Sequence, residues 1–168
     1  KDVLSLTDNR KAQAPALSEG ELIEDEPLAD TTIRITGATA AEYPAPGIVR
    51  IGDELITYTG TSTISGTEIS LTGCVRGTNG TTAEDQSLGD RVQWCLQYTT
   101  TNAVDIAYDL LINYAGVDPS YIPITDWNSE RDIWLPQFNV SAIISEPVGV
   151  NELLGELSEQ CLFYIWWN

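Results

Sequence analysis

Histidine and methionine are both missing from this 168-residue chain, and lysine and arginine together number only 8. The lack of histidine removes the commonest general base, the commonest metal ligand and every His-dependent nucleophilic triad at once. Cysteine is nearly as scarce. Cys74, Cys95 and Cys161 are odd in number, far apart and without a CxxC pair, so they signal neither a zinc site nor a disulfide framework. Their spacing leaves a Cys74–Cys95 bridge open and favours buried free thiols. No apolar run approaches the roughly 20 residues that span a bilayer, and no secretory signal pattern is read in the chain.

The shortage of basic residues is set against 25 acidic ones, giving a formal net charge of −17. Gripping nucleic acid requires clustered Lys and Arg that displace counterions, so sequence-specific nucleic-acid binding is not expected. Stable anchoring on anionic lipid is not expected either. Two readings of the acidity remain. It keeps an assembly component soluble, or it forms a wall that DNA slides past without sticking.

What is present has a globular composition, 42% hydrophobic and 20% charged. Residues 1–30 are polar and acidic, with Glu19, Glu21, Glu24, Asp25 and Glu26 crowded together, and read as an acidic connector or arm. A short strand over Val3–Leu6 is expected within them. Residues 31–98 turn to Thr, Ile, Val and Tyr with frequent Gly, the pattern of short strands and tight turns. Thr32–Thr36 alternates with period two; Val49 and Ile51 share a face, as do Ile56 and Tyr58 beyond a Gly52-Asp53 hairpin turn. Thr67–Thr72 and Arg91–Tyr98 supply further strands, the latter with Val92, Trp94, Leu96 and Tyr98 on the face turned to the core or a neighbouring segment. This part is expected to be a small all-β module, barrel or sandwich.

Residues 99–168 read as a mixed α/β segment, which makes the fold class α+β. Val104, Ala107, Tyr108, Leu111 and Ala115 form one helical stripe, capped by Asn102 with Asp105 completing a box-like pair, and stopped by Gly116 and Pro119. A shorter helix is expected from Asp126 to Leu135, a strand over Val140–Ile144, and a helix opened by Pro147 with Val150, Leu153, Leu154, Leu157 and Cys161 on one side. Leu162–Trp167 would then be a strand. Both ends read as cut from a longer chain, and the apolar Leu162–Trp167 run is expected to be covered by further chain or another subunit, at about 1.5–3 kcal/mol per buried side chain.

Candidate chemistry is sparse. Abundant acids raise a two-carboxylate glycosidase, yet such pairs have no spacing of their own and a solvated acidic face explains the count. Asp126–Asp132 resembles the start of a calcium loop, but Arg131 stands where Gly is needed and Gln137 where a bidentate carboxylate is needed. The Gly73–Thr82 stretch lacks the Gly-Lys-Ser/Thr ending of a phosphate loop, so turn chemistry accounts for its glycines. Within it, Arg76 is expected to brace the turn through backbone carbonyls or an acidic neighbour. Trp127, Trp134, Trp166 and Trp167 read as core or interface residues. No catalytic, cofactor-binding or metal-binding residue is therefore expected, and no cofactor.

One combination of segments carries a resemblance. Gly47-Ile48-Val49-Arg50-Ile51-Gly52-Asp53-Glu54-Leu55-Ile56-Thr57-Tyr58-Thr59-Gly60 is followed by Leu71-Thr72-Gly73-Cys74-Val75-Arg76-Gly77-Thr78, Gly80-Thr81-Thr82-Ala83 and Gly89-Asp90-Arg91-Val92-Gln93. Together they resemble the small β module of tail-tip and baseplate-hub proteins of long-tailed phages, prophages and gene transfer agents. Many such proteins carry a His after the Thr-Ala, where this chain has Glu84-Asp85-Gln86-Ser87. Val104 to Asn168, notably Ser145–Pro147 through Leu154–Leu157, resembles the segment that follows the module, so the likeness covers residues 30–168. It implies a structural virion protein of the tail, assembled in the bacterial cytoplasm, with other tail or baseplate subunits as partners and a homo-oligomer, often a trimer. It implies no catalytic residues. The alternatives are a receptor- or carbohydrate-binding module of a tail and a tail-associated glycan hydrolase.

Overall fold

Alternation along short Thr/Ile/Val-rich segments builds the principal strands of the chain. The computed structural model describes residues 12–164 and divides into two units, one of residues 17–97 and one joining residues 12–16 to residues 98–164. The expected strand over Val3–Leu6 lies outside the described residues. Antiparallel sheets together with helices make the fold α+β.

In the β unit, β1 (Gln13–Ala14) has no part; its strands are β2 (Glu21–Leu22), β3 (Thr32–Thr36), β4 (Gly47–Ile51), β5 (Glu54–Tyr58), β6 (Gly60–Ser65), β7 (Glu68–Thr72) and the first residues of β8 (Val92–Asn102). One sheet runs β2-β3-β7-β6, and β5-β4-β8 are consecutive in another. Period-two alternation sends Ile33 and Ile35 of β3, and Ile56 and Tyr58 of β5, into a core shared with Tyr43, Ile69, Leu71 and Val92. The turn between β4 and β5 is the expected two-residue one: Ile51 pairs with Glu54, and Gly52 takes a φ of 56° that only glycine adopts freely.

The barrel alternative is corrected to two sheets tied at their margins. Glu21 pairs with Arg91 at one margin and Thr57 with Val75 at the other, as isolated bridges rather than continuous ladders, so no barrel closes. The described part of the expected connector, residues 12–30, is instead divided between the two units. Residues 17–30 belong to the β unit because Leu22 is in its core and Ser18 holds β8, accepting from the Trp94 amide at 3.1 Å and donating its own amide to Gln93 Oε1 at 3.0 Å. On β8, Val92, Leu96 and Tyr98 are buried and Trp94 packs against the core, but Gln93 and Cys95 on the other face are buried as well. β6 had no apolar alternation to betray it. Its Thr and Ser side chains are largely exposed, and pairing with β7 makes it a strand.

In the mixed unit, β1 pairs antiparallel with β10 (Val148–Gly149), and β9 (Asn139–Ile144) stands at the end of the sheet order beside β8. Asn102 caps α1 (Ala103–Asp109), its side-chain oxygen accepting from the Val104 amide at 3.0 Å. Asp105 does not complete the box; its carboxylate instead accepts from Arg131 Nη1 at 2.7 Å. The stripe continues past α1 as a π-helical turn over Leu110–Tyr114, which brings both Leu110 and Leu111 inside, and Gly116 at a φ of 68° ends it.

The second helix, α2 (Ile124–Trp134), starts two residues early and buries none of its residues. The third, α3 (Val150–Cys161), is capped by Gly149 rather than opened by Pro147, because residues 148 and 149 are taken up by β10. Val150, Leu157 and Cys161 of its stripe are buried, with Leu153 and Leu154 half-buried. Leu162 turns left-handed at a φ of 56° and stops the helix, so Leu162–Tyr164 is not strand; Ile165–Trp167 lie outside the described residues.

The packing predicts a contrast within the β unit. Ile56→Ala should lower stability by about 2–5 kcal/mol, since it empties a fully enclosed site. Leu88→Ala, at a side chain 64% exposed, should stay within about 0.5 kcal/mol of the parent. Urea titration of both variants measures the difference, and equal midpoints would contradict the core assignment.

Candidate functional site

Alternation along β5 places Glu54 on the same inward face as Ile56 and Tyr58, so a carboxylate enters the protein where an aliphatic residue would ordinarily sit. Its side chain is wholly buried, and that of Arg76 is 6% exposed. Arg76 Nε donates to Glu54 Oε1 at 2.8 Å and Nη2 donates to Oε2 at 2.7 Å, a bidentate pair. The remaining acceptor positions are filled by the Gly77 amide at 2.8 Å, Gln86 Nε2 at 3.0 Å and the Glu84 amide at 3.3 Å. Arg76 spends its other donors on the carbonyls of Pro27 and Glu84.

This places Arg76 in the bracing role that its sequence position suggested, with both an acidic partner and backbone carbonyls. The loop around it is fitted to the edge of β5. The Thr78 amide donates to the Leu55 carbonyl at 2.9 Å, and the Leu55 amide donates to Thr81 Oγ1 at 3.0 Å, so the loop stands in for a neighbouring strand. Gly77 has a φ of 59°, and a Cβ there would meet the Ala83 amide nitrogen at 2.6 Å. Close backbone approach therefore requires glycine at the residue after Arg76.

The electrostatics follow from the contacts. Burial alone would raise the Glu54 pKa, but Arg76, Gln86 and the amides of Gly77 and Glu84 together hold it below its ordinary value of 4.5. Arg76 is held further in its charged form, first by its hydrogen bonds to Glu54. Glu26 is the opposite case. It is 2% exposed and its carboxylate accepts a long bond from the Arg34 amide at 3.3 Å, which does not offset burial; burial, reinforced by Asp30 and Glu24, raises its pKa.

No protein-family model, curated protein or solved structure matches the chain. Its chemistry is therefore read from its own geometry. A catalytic carboxylate needs a free lone pair facing a substrate, and Glu54 has its oxygens engaged and no exposed surface. The arrangement can hold four chain segments together; it offers a reactant nothing.

The other sequence candidates do not converge. Asp126–Asp132, considered as a calcium loop, lies within α2, where helical spacing sends successive carboxylates around the axis instead of toward one point. Its Arg131 is bound to Asp105 and Asp132. Cys74, Cys95 and Cys161 are free and buried, and burial pushes the Cys74 thiol to about 11 and Cys95 to about 12, which leaves them unreactive at neutral pH. Among the described residues no group of three or more Cys, Asp or Glu side chains is placed to hold a metal ion. Trp134 is 70% exposed and Trp127 half-buried, so neither is a core residue; Trp166 and Trp167 lie outside the described residues. Gln86 was missed in the sequence, because nothing in a lone Gln marks it as the partner of a buried acid.

The two buried acids predict opposite pH behaviour. The depressed pKa of Glu54 gives stability that is present above 4.5 and lost as pH falls through its folded value. The raised pKa of Glu26 favours folding below 4.5, and that contribution is lost as pH rises through its folded value. Glu54→Gln should cost on the order of 3–5 kcal/mol at pH 7 by leaving Arg76 buried without its counter-charge, and the deficit should shrink in acid. Glu26→Gln should raise the melting temperature at pH 7, with the gain disappearing toward pH 4. Thermal unfolding from pH 3 to pH 8 separates them, and parallel curves for both variants would refute the assignment.

Proposed function

We propose that the chain is a structural subunit of a phage tail tip or baseplate hub, assembling with copies of itself and with other tail subunits at the end of the tail tube. One observation carries this reading. Two of the segments on which the resemblance rests, Gly47–Gly60 and Leu71–Thr78, meet in the Glu54–Arg76 pair, whose polar atoms are spent on internal contacts. A site that turns its charges inward suits a scaffold, and the −17 net charge suits passage of DNA without adhesion. The virion location and a ring of three are what the resemblance adds. Among the described residues no helix is long and apolar enough to cross a membrane.

A carbohydrate-binding module would need an aromatic platform on the β unit. The exposed large apolar side chains of that unit are Leu17, Leu28, Ile64, Val75 and Leu88, all aliphatic. Immunogold labelling of tailed particles with antibodies raised against the chain tests the proposal. Gold confined to the distal end of the tail is expected. Particles that carry no label, together with micromolar binding of the chain on a glycan array, would replace the scaffold reading with the binding module.

A further inference from the structure

The three longest charge-free stretches of this acidic chain are residues 55–67, 92–104 and 133–145. The middle one is β8, which has a strand on either side in its sheet. The other two end very differently. Each contains a strand that closes the order of its sheet, β6 in the first and β9 in the second.

An edge strand presents unpaired N–H and C=O groups, and proteins ordinarily blunt it with Lys, Pro, charge or a covering segment. The other margins in the β unit are treated in that way. β2 is bridged to Arg91 and bonded to Asp90 and Gly89, while β5 is covered by Val75, Thr78 and Thr81. β6, Gly60-Thr61-Ser62-Thr63-Ile64-Ser65, has no charge and no proline, and its Ile64 is 47% exposed; among the described residues an irregularity between Thr63 and Ser65 is its one protective feature. β9, Asn139-Val140-Ser141-Ala142-Ile143-Ile144, is equally free of charge and proline, and Ile133 and Trp134 just before it are 64% and 70% exposed.

We infer that β6 of one copy adds to β9 of the next, so that neighbouring subunits are joined edge to edge by a shared sheet. The occupant of the β6 edge is thus a second copy of this chain. Charge selects it: two molecules of net charge −17 repel wherever their acidic faces meet, and these two neutral edges are where backbone can approach backbone at least electrostatic cost. A contact between two different edges is heterologous and closes into a ring when its rotation permits, whereas β6 meeting β6 would stop at a dimer. This inference rests on the proposed self-assembly and names the surfaces that carry it.

The test uses the 168-residue chain. Sedimentation over a concentration series should show association, and Thr63→Lys or Ala142→Lys should each raise the association midpoint more than tenfold with unchanged circular dichroism. Ser62→Cys chain mixed with Ala142→Cys chain should give disulfide-linked pairs under mild oxidation, and neither variant should do so alone. Linkage within Ser62→Cys chain alone would overturn the inference in favour of a β6–β6 dimer. Association that persists in both Lys variants would overturn it while leaving self-assembly standing. A parent chain that is monomeric at every concentration would remove both.

Discussion

A carboxylate and a guanidinium taken out of water must each find a complete set of partners, and much of the β unit is arranged around that requirement. Glu54 and Arg76 lie on different segments and each would be severely destabilising alone. Together they recruit the Gly77 and Glu84 amides, Gln86 and the carbonyls of Pro27 and Glu84. The consequence is geometric. The segments at Pro27, Arg76–Gly77 and Glu84–Gln86 are fixed to the first residue of β5, and the long excursion from β7 to β8 is tied to it at several points. A hydrophobic cluster of the same size would give comparable stability with less directionality, whereas this pair admits a single register of its loops.

That constraint explains the local sequence. Arg76 needs the five-donor fork, since a Lys could reach the carboxylate but could not also span to two carbonyls. Gly77 is required by the approach of the Ala83 backbone. The Thr78 hydroxyl donates to the Leu55 carbonyl, and the Thr81 hydroxyl accepts from the Leu55 amide and donates to the Thr78 carbonyl, so the Gly-rich run is a fitted cover for a strand edge rather than a phosphate cradle. Among the described residues the margins of β2 and β5 are covered, whereas β6 and β9, which end the orders of the two four-stranded sheets, are uncharged, which links the interior design of the unit to the way copies of it are proposed to meet.

Much of this was legible in the residues, for identifiable reasons. β3 and β5 alternate cleanly and the Gly52-Asp53 turn announces itself, so their strands and the inward Ile33, Ile35, Ile56 and Tyr58 follow from period two alone. Asn102 as a cap and Gly116 as a stop are similarly local. What could not be read is non-local. β6 is a strand only because β7 pairs with it, and β1, β2 and β10 are two-residue pairings with no pattern to find. Residues 17–30 looked like a solvated arm because their acids outnumber the few apolar side chains, one of which, Leu22, is nonetheless in the core. Arg76 could be assigned its role, but its carboxylate partner could not, because twenty-two positions separate the two and alternation gives the inward direction of Glu54 without its counter-charge.

The central claim is that the Glu54 network, and not the flexibility usual for a Gly-rich loop, governs the segment after Arg76. Native-state hydrogen exchange of the Gly77 amide tests it most directly, since that N–H donates to the buried Glu54 carboxylate. The account predicts that Gly77 exchanges only when the whole β unit unfolds, with the protection of the Ile56 and Leu71 amides in the core strands. Exchange of Gly77 as fast as that of Gly80, which stands in open space three residues on, would contradict it.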